Sequence, residues 1–310
     1  MALKPGAHVA RDRSQFAWDP AIPPVLAVAS GAVVELDLLD GSNGQITATS
    51  TVEDLDRIDF DRVDQLHGPI AVAGAEPGDT LQVDLLEFVP ADWGWTASVP
   101  GFGLLGDEFP DPALRITSLP AAGEPAAFLP GIHVPVDPFC GVIGVAPPEG
   151  PLPTIPPGEF GGNMDTRHLT AGATLFLPVF HAGALLSMGD GHAAQGDGEV
   201  CGTAIETPMQ AIVRLTVRKD LHVSGPEFIT ADGPALHSGR RYATSGVGPD
   251  LLGAARDAVR RMIDWLGREH GLAPIDAYLL ASVAVDLRIS EIVDMPNVIV
   301  TAHCPLSIFD

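Results

Sequence analysis

Short apolar runs, each of strand length and broken by glycine or proline, recur along most of the chain. They cover residues 25–39, 70–73, 80–89, 131–136, 141–145, 173–180 and 211–218. In the last, Val213, Leu215 and Val217 fall on one face while Arg214, Thr216 and Arg218 fall on the other. That alternation predicts a strand with one wet side. One stretch has the helical period instead. After Gly248-Pro249-Asp250, residues Leu252, Ala255, Val259, Met262, Ile263 and Leu266 recur at helical spacing, and Gly271 follows. This predicts a helix over 251–270, the longest in the chain. Residues 278–284 read as helix or strand, and 285–293 as strand. The pattern predicts a mainly β fold: a β-rich body over residues 1–220, then a smaller α+β segment over 221–310.

Composition places this pattern in a folded, water-soluble protein. Of 310 residues, 46% are hydrophobic and 18% charged, ample for a real core. No apolar run approaches the ~20 residues of a spanning helix, and Met1–Gly6 lack the apolar core of a signal peptide. The three cysteines, Cys140, Cys201 and Cys304, have no CxxC spacing and cannot all pair with one another, which fits a reducing cytoplasm. Seventeen basic against forty acidic side chains give a net charge of −23. Such a surface repels phosphate backbones and anionic lipid, so nucleic acid and membrane are poor partners. Neutral or cationic substrates fit it better than anionic ones, unless a local basic pocket overrides the global charge.

One stretch departs from the strand-and-turn pattern. Gly189-Asp190-Gly191-His192-Ala193-Ala194-Gln195-Gly196-Asp197-Gly198-Glu199 holds three carboxylates, an imidazole and four glycines. Asp, Glu and His hold divalent metals and move protons, while glycine permits close backbone approach. In extended chain Asp190 and His192 share a face, as do Asp197 and Glu199, and a turn at Ala193–Gly196 could bring the pairs together. One imidazole with carboxylates suits Zn²⁺, with Mn²⁺ or Fe²⁺ as alternatives; an oxygen-only subset suits Ca²⁺. A solvated acidic loop is the plain alternative, and no HExxH signature is present.

Asp165, in Gly161-Gly162-Asn163-Met164-Asp165, is the second candidate. Alone it fits an Asx-turn; beside the first motif it fits a shared site. Glu76-Pro77-Gly78-Asp79 reads as a structural β-turn. His181 and His303 sit among apolar residues as core or rim histidines. Cys201 has no basic neighbour in sequence to activate it, so a structural thiol is the simpler reading.

In order along the chain, Gly68-Pro69-Ile70, Gly74–Asp79, Ala146-Pro147-Pro148, Gly161–Asp165 and Gly189–Glu199 resemble the motifs of the acetamidase/formamidase family. The resemblance runs over residues 20–305. It implies a β-sandwich and barrel-like body with an α+β C-terminal part, metal-dependent hydrolysis of short amides to a carboxylic acid and ammonia, and a homo-oligomer. Asp165, Asp190, His192, Asp197 and Glu199 stand at the family's polar motifs, and Asp40 resembles the Asp that ends an early strand. Two positions depart: Leu306 follows Pro305 where many members have Lys, and His67 stands where Thr is frequent. The expected division gives the metal to Asp165, Asp190 and His192. Glu199 then acts as base and acid with Asp197 orienting it, and Asn163, Asp40 and His67 stand near the substrate. Hydrolysis of another C–N bond, such as a cyclic amide, and a non-catalytic metal- or carbohydrate-binding sandwich are the alternatives.

Overall fold

Two large sheets share one hydrophobic core. A computed structural model describes residues 5–310 apart from 105, 107–109, 121–123, 130–131, 200, 232–239, 275–276, 278–284, 307–308 and 310. Strands hold 43% of the chain and helices 12%, as the alternating pattern predicts. The first sheet is built around the long antiparallel pair Thr80–Pro90 and Met209–Arg218. Ala32–Leu38 flanks it on one side and Thr174–Pro178 on the other. Beyond Thr174–Pro178 the sheet continues through Glu227–Ile229, Arg241–Gly248, Val298–Pro305 and Asp286–Glu291. Strands from both sides of residue 220 are thus hydrogen-bonded neighbours in one sheet.

The second sheet is centred on Leu186–Ala194, antiparallel to Phe139–Gly144, Leu66–Ala73 and Ile205–Glu206. Val34, Leu36 and Leu38 from the first sheet meet Val142, Ile143, Leu186 and Met188 from the second in the common core, all of them buried. Val213 and Leu215 are buried there too, as the alternation predicts.

The run 25–39 is two strands rather than one. Leu26–Ala29 joins the second sheet and Ala32–Leu38 the first, with a turn at Gly31 (φ 87°) between them. The run 131–136 contains the strand Ile132–Val134, and 285–293 contains Asp286–Glu291. Gly131 and residues 278–284 lie outside the described residues.

The helix spans Leu251–His270 as the spacing predicts. The Asp250 side chain accepts from Gly253 N at 2.7 Å, and Gly271 closes the helix in the left-handed conformation. Its buried face is Ala254, Ala258, Met262, Trp265 and Leu266, whereas Leu252 is 57% exposed. The face is turned from the predicted one because the helix lies tight on Arg241–Gly248. A Cβ on Gly246 would come within 1.9 Å of Ala254 O, so only small residues fit along that line.

Candidate active site

The motif at 189–199 begins as the buried central strand of the second sheet and ends in a turn. All nine residues of Leu186–Ala194 are buried. The glycines around Asp190 serve close approach: a Cβ on Gly189 would lie 2.0 Å from Gln65 O, and one on Gly191 2.3 Å from Thr207 O. The left-handed residue is Asp190 itself, with φ 52°. Seven described non-glycine residues have positive φ, and four of them are the acids Asp64, Asp165, Asp190 and Glu199. Such strain persists only where the surroundings enforce it, and it concentrates at functional sites.

These acids converge on His192. Its Nε2 lies 2.8 Å from Asp190 Oδ2, 3.2 Å from Glu206 Oε1 and 4.0 Å from Glu199 Oε1. Its Nδ1 is 3.9 Å from Asp165 Oδ1. Ligand atoms of Asp165, His192 and Glu199 lie within 4.8 Å of one another, as do those of Asp190, His192 and Glu206. The ring is oriented from behind. Nδ1 donates to Gln195 Oε1 at 2.9 Å, and Gln195 Nε2 donates to Asp165 O at 2.7 Å. That leaves Nε2 to face the carboxylates, close to two of them but hydrogen-bonded to none. A hydrogen bond that fixes one ring nitrogen and frees the other is the usual support of a metal-binding histidine.

The donor set fits a divalent cation on two further observations. Among the described residues, both carboxylate oxygens of Asp165, Oδ1 of Asp190 and Nε2 of His192 are buried without a hydrogen-bond partner, a costly condition for groups that water no longer reaches. Two glycines leave the space between ligands open. A Cβ on Gly141 would meet Asp190 Oδ2 at 2.3 Å and Asp165 Oδ1 at 2.4 Å; one on Gly41 would meet Asp190 Oδ1 at 2.8 Å.

Burial and mutual repulsion set the titration of the cluster. Burial pushes Asp165 up to about 6 and Glu206, further raised by the Asp190 charge, to about 8. Glu199 and Asp64 are pushed well above the carboxylate range by burial, with Asp165 and Asp190 respectively adding repulsion. Burial disfavours charge on Asp190 too, but the His192 imidazolium outweighs it and holds Asp190 low. For His192 burial opposes the charge, and Asp190 and Glu206 overcome it, raising the imidazole well above its ordinary value.

A further layer comes from the C-terminal strands. Asp294 Oδ2 accepts from Asn163 Nδ2 at 2.7 Å, and Glu291 accepts from the backbone N–H groups of Val293 and Asp294. Asp165 and Glu291 charges add to burial in raising Asp294.

Sequence reasoning finds Asp165, Asp190, His192 and Glu199, and the structure brings these four together. It places Asp197 elsewhere. Gly198 and Glu199 both have positive φ, and Glu199 N bonds Gly196 O, so the two-residue alternation fails and the acids do not share a face. Asp197 instead sits 3.3 Å from His168 Nε2 and 3.3 Å from Arg288 Nη1. Asp40 is fully buried behind the cluster, accepting from Trp95 Nε1 at 3.0 Å and from Ser42. His67 is buried where its strand meets Met188, and burial lowers it to about 4. Asn163 supports Asp294. None of these three lines the adjoining cavity. Glu206, Asp64, Glu291 and Asp294 carry no local motif. Glu206 reaches the site by strand register, opposite His192.

A cavity of about 880 Å³ opens beside the cluster. Of the four converging residues and Glu206, Glu199 alone lines it, joined by Gln195, His168, Arg288 and the half-buried Cys201. The Cys201 thiol hydrogen-bonds to Thr203 O, in keeping with a structural role.

Comparison with known proteins fits this arrangement. The sequence profile of the Acetamidase/Formamidase family matches residues 5–152 and 149–310. The chain belongs to that family. It is 28% identical to a formamidase of Methylophilus methylotrophus, covering 94% of this chain and 88% of the relative. The crystal structure of an acetamidase from Bacillus halodurans superposes with a TM-score of 0.89 at 31% identity, covering 97% of this chain and 98% of that one. A γ-lactamase from Delftia acidovorans superposes at 0.68 with 28% identity, covering 96% and 90%.

Proposed function

We propose that this chain is a metal-dependent amidohydrolase that cleaves short carboxamides to a carboxylic acid and ammonia, with Zn²⁺ as the metal. Family membership supports the amidase activity. The metal requirement is carried by one observation: an imidazole fixed at Nδ1 stands among buried carboxylates, and its Nε2, both oxygens of Asp165 and Oδ1 of Asp190 have no hydrogen-bond partner among the described residues.

Asp165, Asp190 and His192 would hold the ion, with Glu206 beside His192 as a further donor. When bound, a divalent ion supplies Lewis acidity toward a carbonyl oxygen and lowers the pKa of water. The chain supplies the proton handling. Glu199 spans cluster and cavity, and burial raises its carboxyl well above the ordinary carboxylate range, so it can hold a proton for delivery. We assign it the transfer to the departing amide nitrogen. Asp197, paired with His168 and Arg288, would hold the cavity wall rather than orient Glu199.

The test is ammonia release from formamide, acetamide and propionamide by protein of measured metal content, before and after chelation and Zn²⁺ return. Ammonia that disappears with the metal and returns with Zn²⁺ is expected; its persistence in metal-free protein overturns the metal requirement. The γ-lactamase likeness favours a second reading, hydrolysis of a cyclic amide. Turnover of a γ-lactam with none of the linear amides would select it.

We also propose a homo-oligomer in a reducing compartment. Leu251, Leu252, Leu287 and Ile289 form an exposed apolar patch where the helix start meets the edge strand Asp286–Glu291, and such edges are normally covered. All three cysteines are free. No helix among the described residues is long and apolar enough to cross a membrane. Light scattering that returns a monomer mass would refute the assembly.

A further inference from the structure

The cavity beside Glu199 does not match the smallest amides in size or in charge. At about 880 Å³ it belongs to the class that encloses ligands far larger than acetamide, which has four non-hydrogen atoms. Its charge also departs from that of the chain. Overall, acids outnumber bases by 40 to 17, yet the cavity is lined by Arg167, Arg241 and Arg288 against Asp137, Asp197 and Glu199.

Arg241 and Arg288 come from strands on either side of Val298–Pro305 and flank His303, which is buried and held neutral chiefly by burial. Their side chains are only 18% and 17% exposed. Each is tethered from one side: Arg241 Nη1 donates to Asp286 Oδ2 at 2.7 Å, and Arg288 Nη1 to Asp197 Oδ2 at 3.3 Å. Arg288 Nη2 also lies 3.9 Å from Asp286 Oδ2. The Nε–H of both arginines is nevertheless buried without an acceptor among the described residues. A buried donor of a charged group left unpaired is costly, and a planar carboxylate is the acceptor that a guanidinium fork matches best. The cavity wall also includes Phe128, Val134, Pro135 and Ile205, suited to methylene groups.

We propose that this cavity recognises a carboxylate at the end of the substrate remote from the scissile amide, held by Arg241 and Arg288. The preferred substrates are then monoamides of short dicarboxylic acids rather than simple alkyl amides. The inference rests on the amidase reading for its chemistry, but the carboxylate site stands on its own geometry.

Two measurements separate the two claims. The first compares kcat/KM for succinamate, glutaramate and adipamate with that for levulinamide, which has the length of succinamate and no charge. The best monoamide should exceed levulinamide by about tenfold or more, the share of charge-assisted hydrogen bonds. That ratio should shrink toward one in Arg288→Gln and Arg241→Gln, and on raising the salt for the unaltered protein. The second follows the rise in Tm with succinate against butane-1,4-diol, which keeps the four-carbon chain with no carboxylate. Succinate should stabilise the unaltered protein more, and the difference should shrink in the arginine variants. Hydrolysis of acetamide with levulinamide equal to or better than every monoamide overturns the carboxylate site and leaves the amidase reading intact. Absence of any amide turnover, with the arginine-dependent succinate effect retained, overturns the amidase reading and upholds the site. Equal stabilisation by succinate and butane-1,4-diol overturns the site whether or not the variants fold.

Discussion

Replacing Gly141 by alanine puts one methyl group into the space that the proposed ion would share with its ligands. The Cβ would stand 2.3 Å from Asp190 Oδ2, 2.4 Å from Asp165 Oδ1 and 2.8 Å from His192 Cε1. Ordinary contact begins at 3.4 Å, so two carboxylates would have to retreat by about 1 Å each, on opposite sides of the added methyl. Ligand distances in metal sites hold to within about 0.2 Å, so a shift of that size removes at least one ligand from bonding range. Loss of a mere supporting hydrogen bond weakens metal binding about 10–100-fold, and this change should cost at least as much. The fold itself should survive. Gly141 is not left-handed, so alanine is tolerated by the backbone, and overpacking costs about 1–3 kcal/mol.

The assay is calorimetric titration of the chelated protein with Zn²⁺, beside thermal melts with and without the ion. The expected result is a Tm a few degrees lower in chelator, and loss of most of the rise that Zn²⁺ gives the unaltered protein. Gly196→Ala, in the adjoining cavity, is the control, since its Cβ would meet nothing within 4 Å. A Gly141→Ala protein that binds Zn²⁺ with unaltered affinity would refute the assignment of Asp165 and Asp190 as ligands to one ion.

Glu199→Gln should keep the metal and lose turnover by about 10²–10⁴-fold, whereas His192→Ala should lose both; metal lost from the Glu199 variant would make that residue a ligand. Gln195→Leu removes both hydrogen bonds that orient His192, and Zn²⁺ affinity should fall about 10–100-fold with the circular dichroism spectrum unchanged; undiminished affinity would rule out the orienting role. The pH dependence has a definite sign. Glu206 titrates at about 8 in the folded chain against an ordinary 4.5, so between those values the unfolded state has released a proton that the folded state retains. Metal-free protein should therefore lose stability as pH rises from about 4.5 to 8, and Zn²⁺ uptake at pH 7 should release protons, read as buffer-dependent heats of binding; a flat stability profile with no proton release would contradict the burial of these carboxyls.

Where the sequence is legible, a local signal is present. The helix is readable to both ends because Asp250 and Gly271 cap it within the same segment that carries its period. The motif at 189–199 is readable because buried acids separated by glycine have little structural use. What is not legible depends on partners distant in sequence. The buried face of the helix is set by how closely it lies against Gly246, not by its own apolar pattern. Glu206 becomes a site residue only because strand register puts it opposite His192. Left-handed backbone at Gly198 and at Glu199 itself turns Glu199 away from Asp197, which a strand-like reading of the motif does not anticipate.

The positions where alternation breaks are also those where the molecule carries its greatest local costs. Asp165, Asp190 and Glu199 combine left-handed backbone with a water-excluded, crowded setting around one imidazole. Each left-handed non-glycine residue costs of order 1–3 kcal/mol, and buried carboxyls near one another add repulsion to desolvation. A sheet built only for stability would place valine at such positions, as the neighbouring strands do at Val142 and Val72. The large shared core of the two sheets can offset these costs, but it does not remove them. The proposed divalent ion would act on them directly, because it would attract the carboxylates that now repel one another and accept the lone pairs that lack donors. The same reasoning explains why the strain lies on the acids and not on the glycines beside them: the left-handed turn at Asp190 aims its carboxylate along the strand toward His192, while Gly189 and Gly191 let neighbouring strands close in behind it.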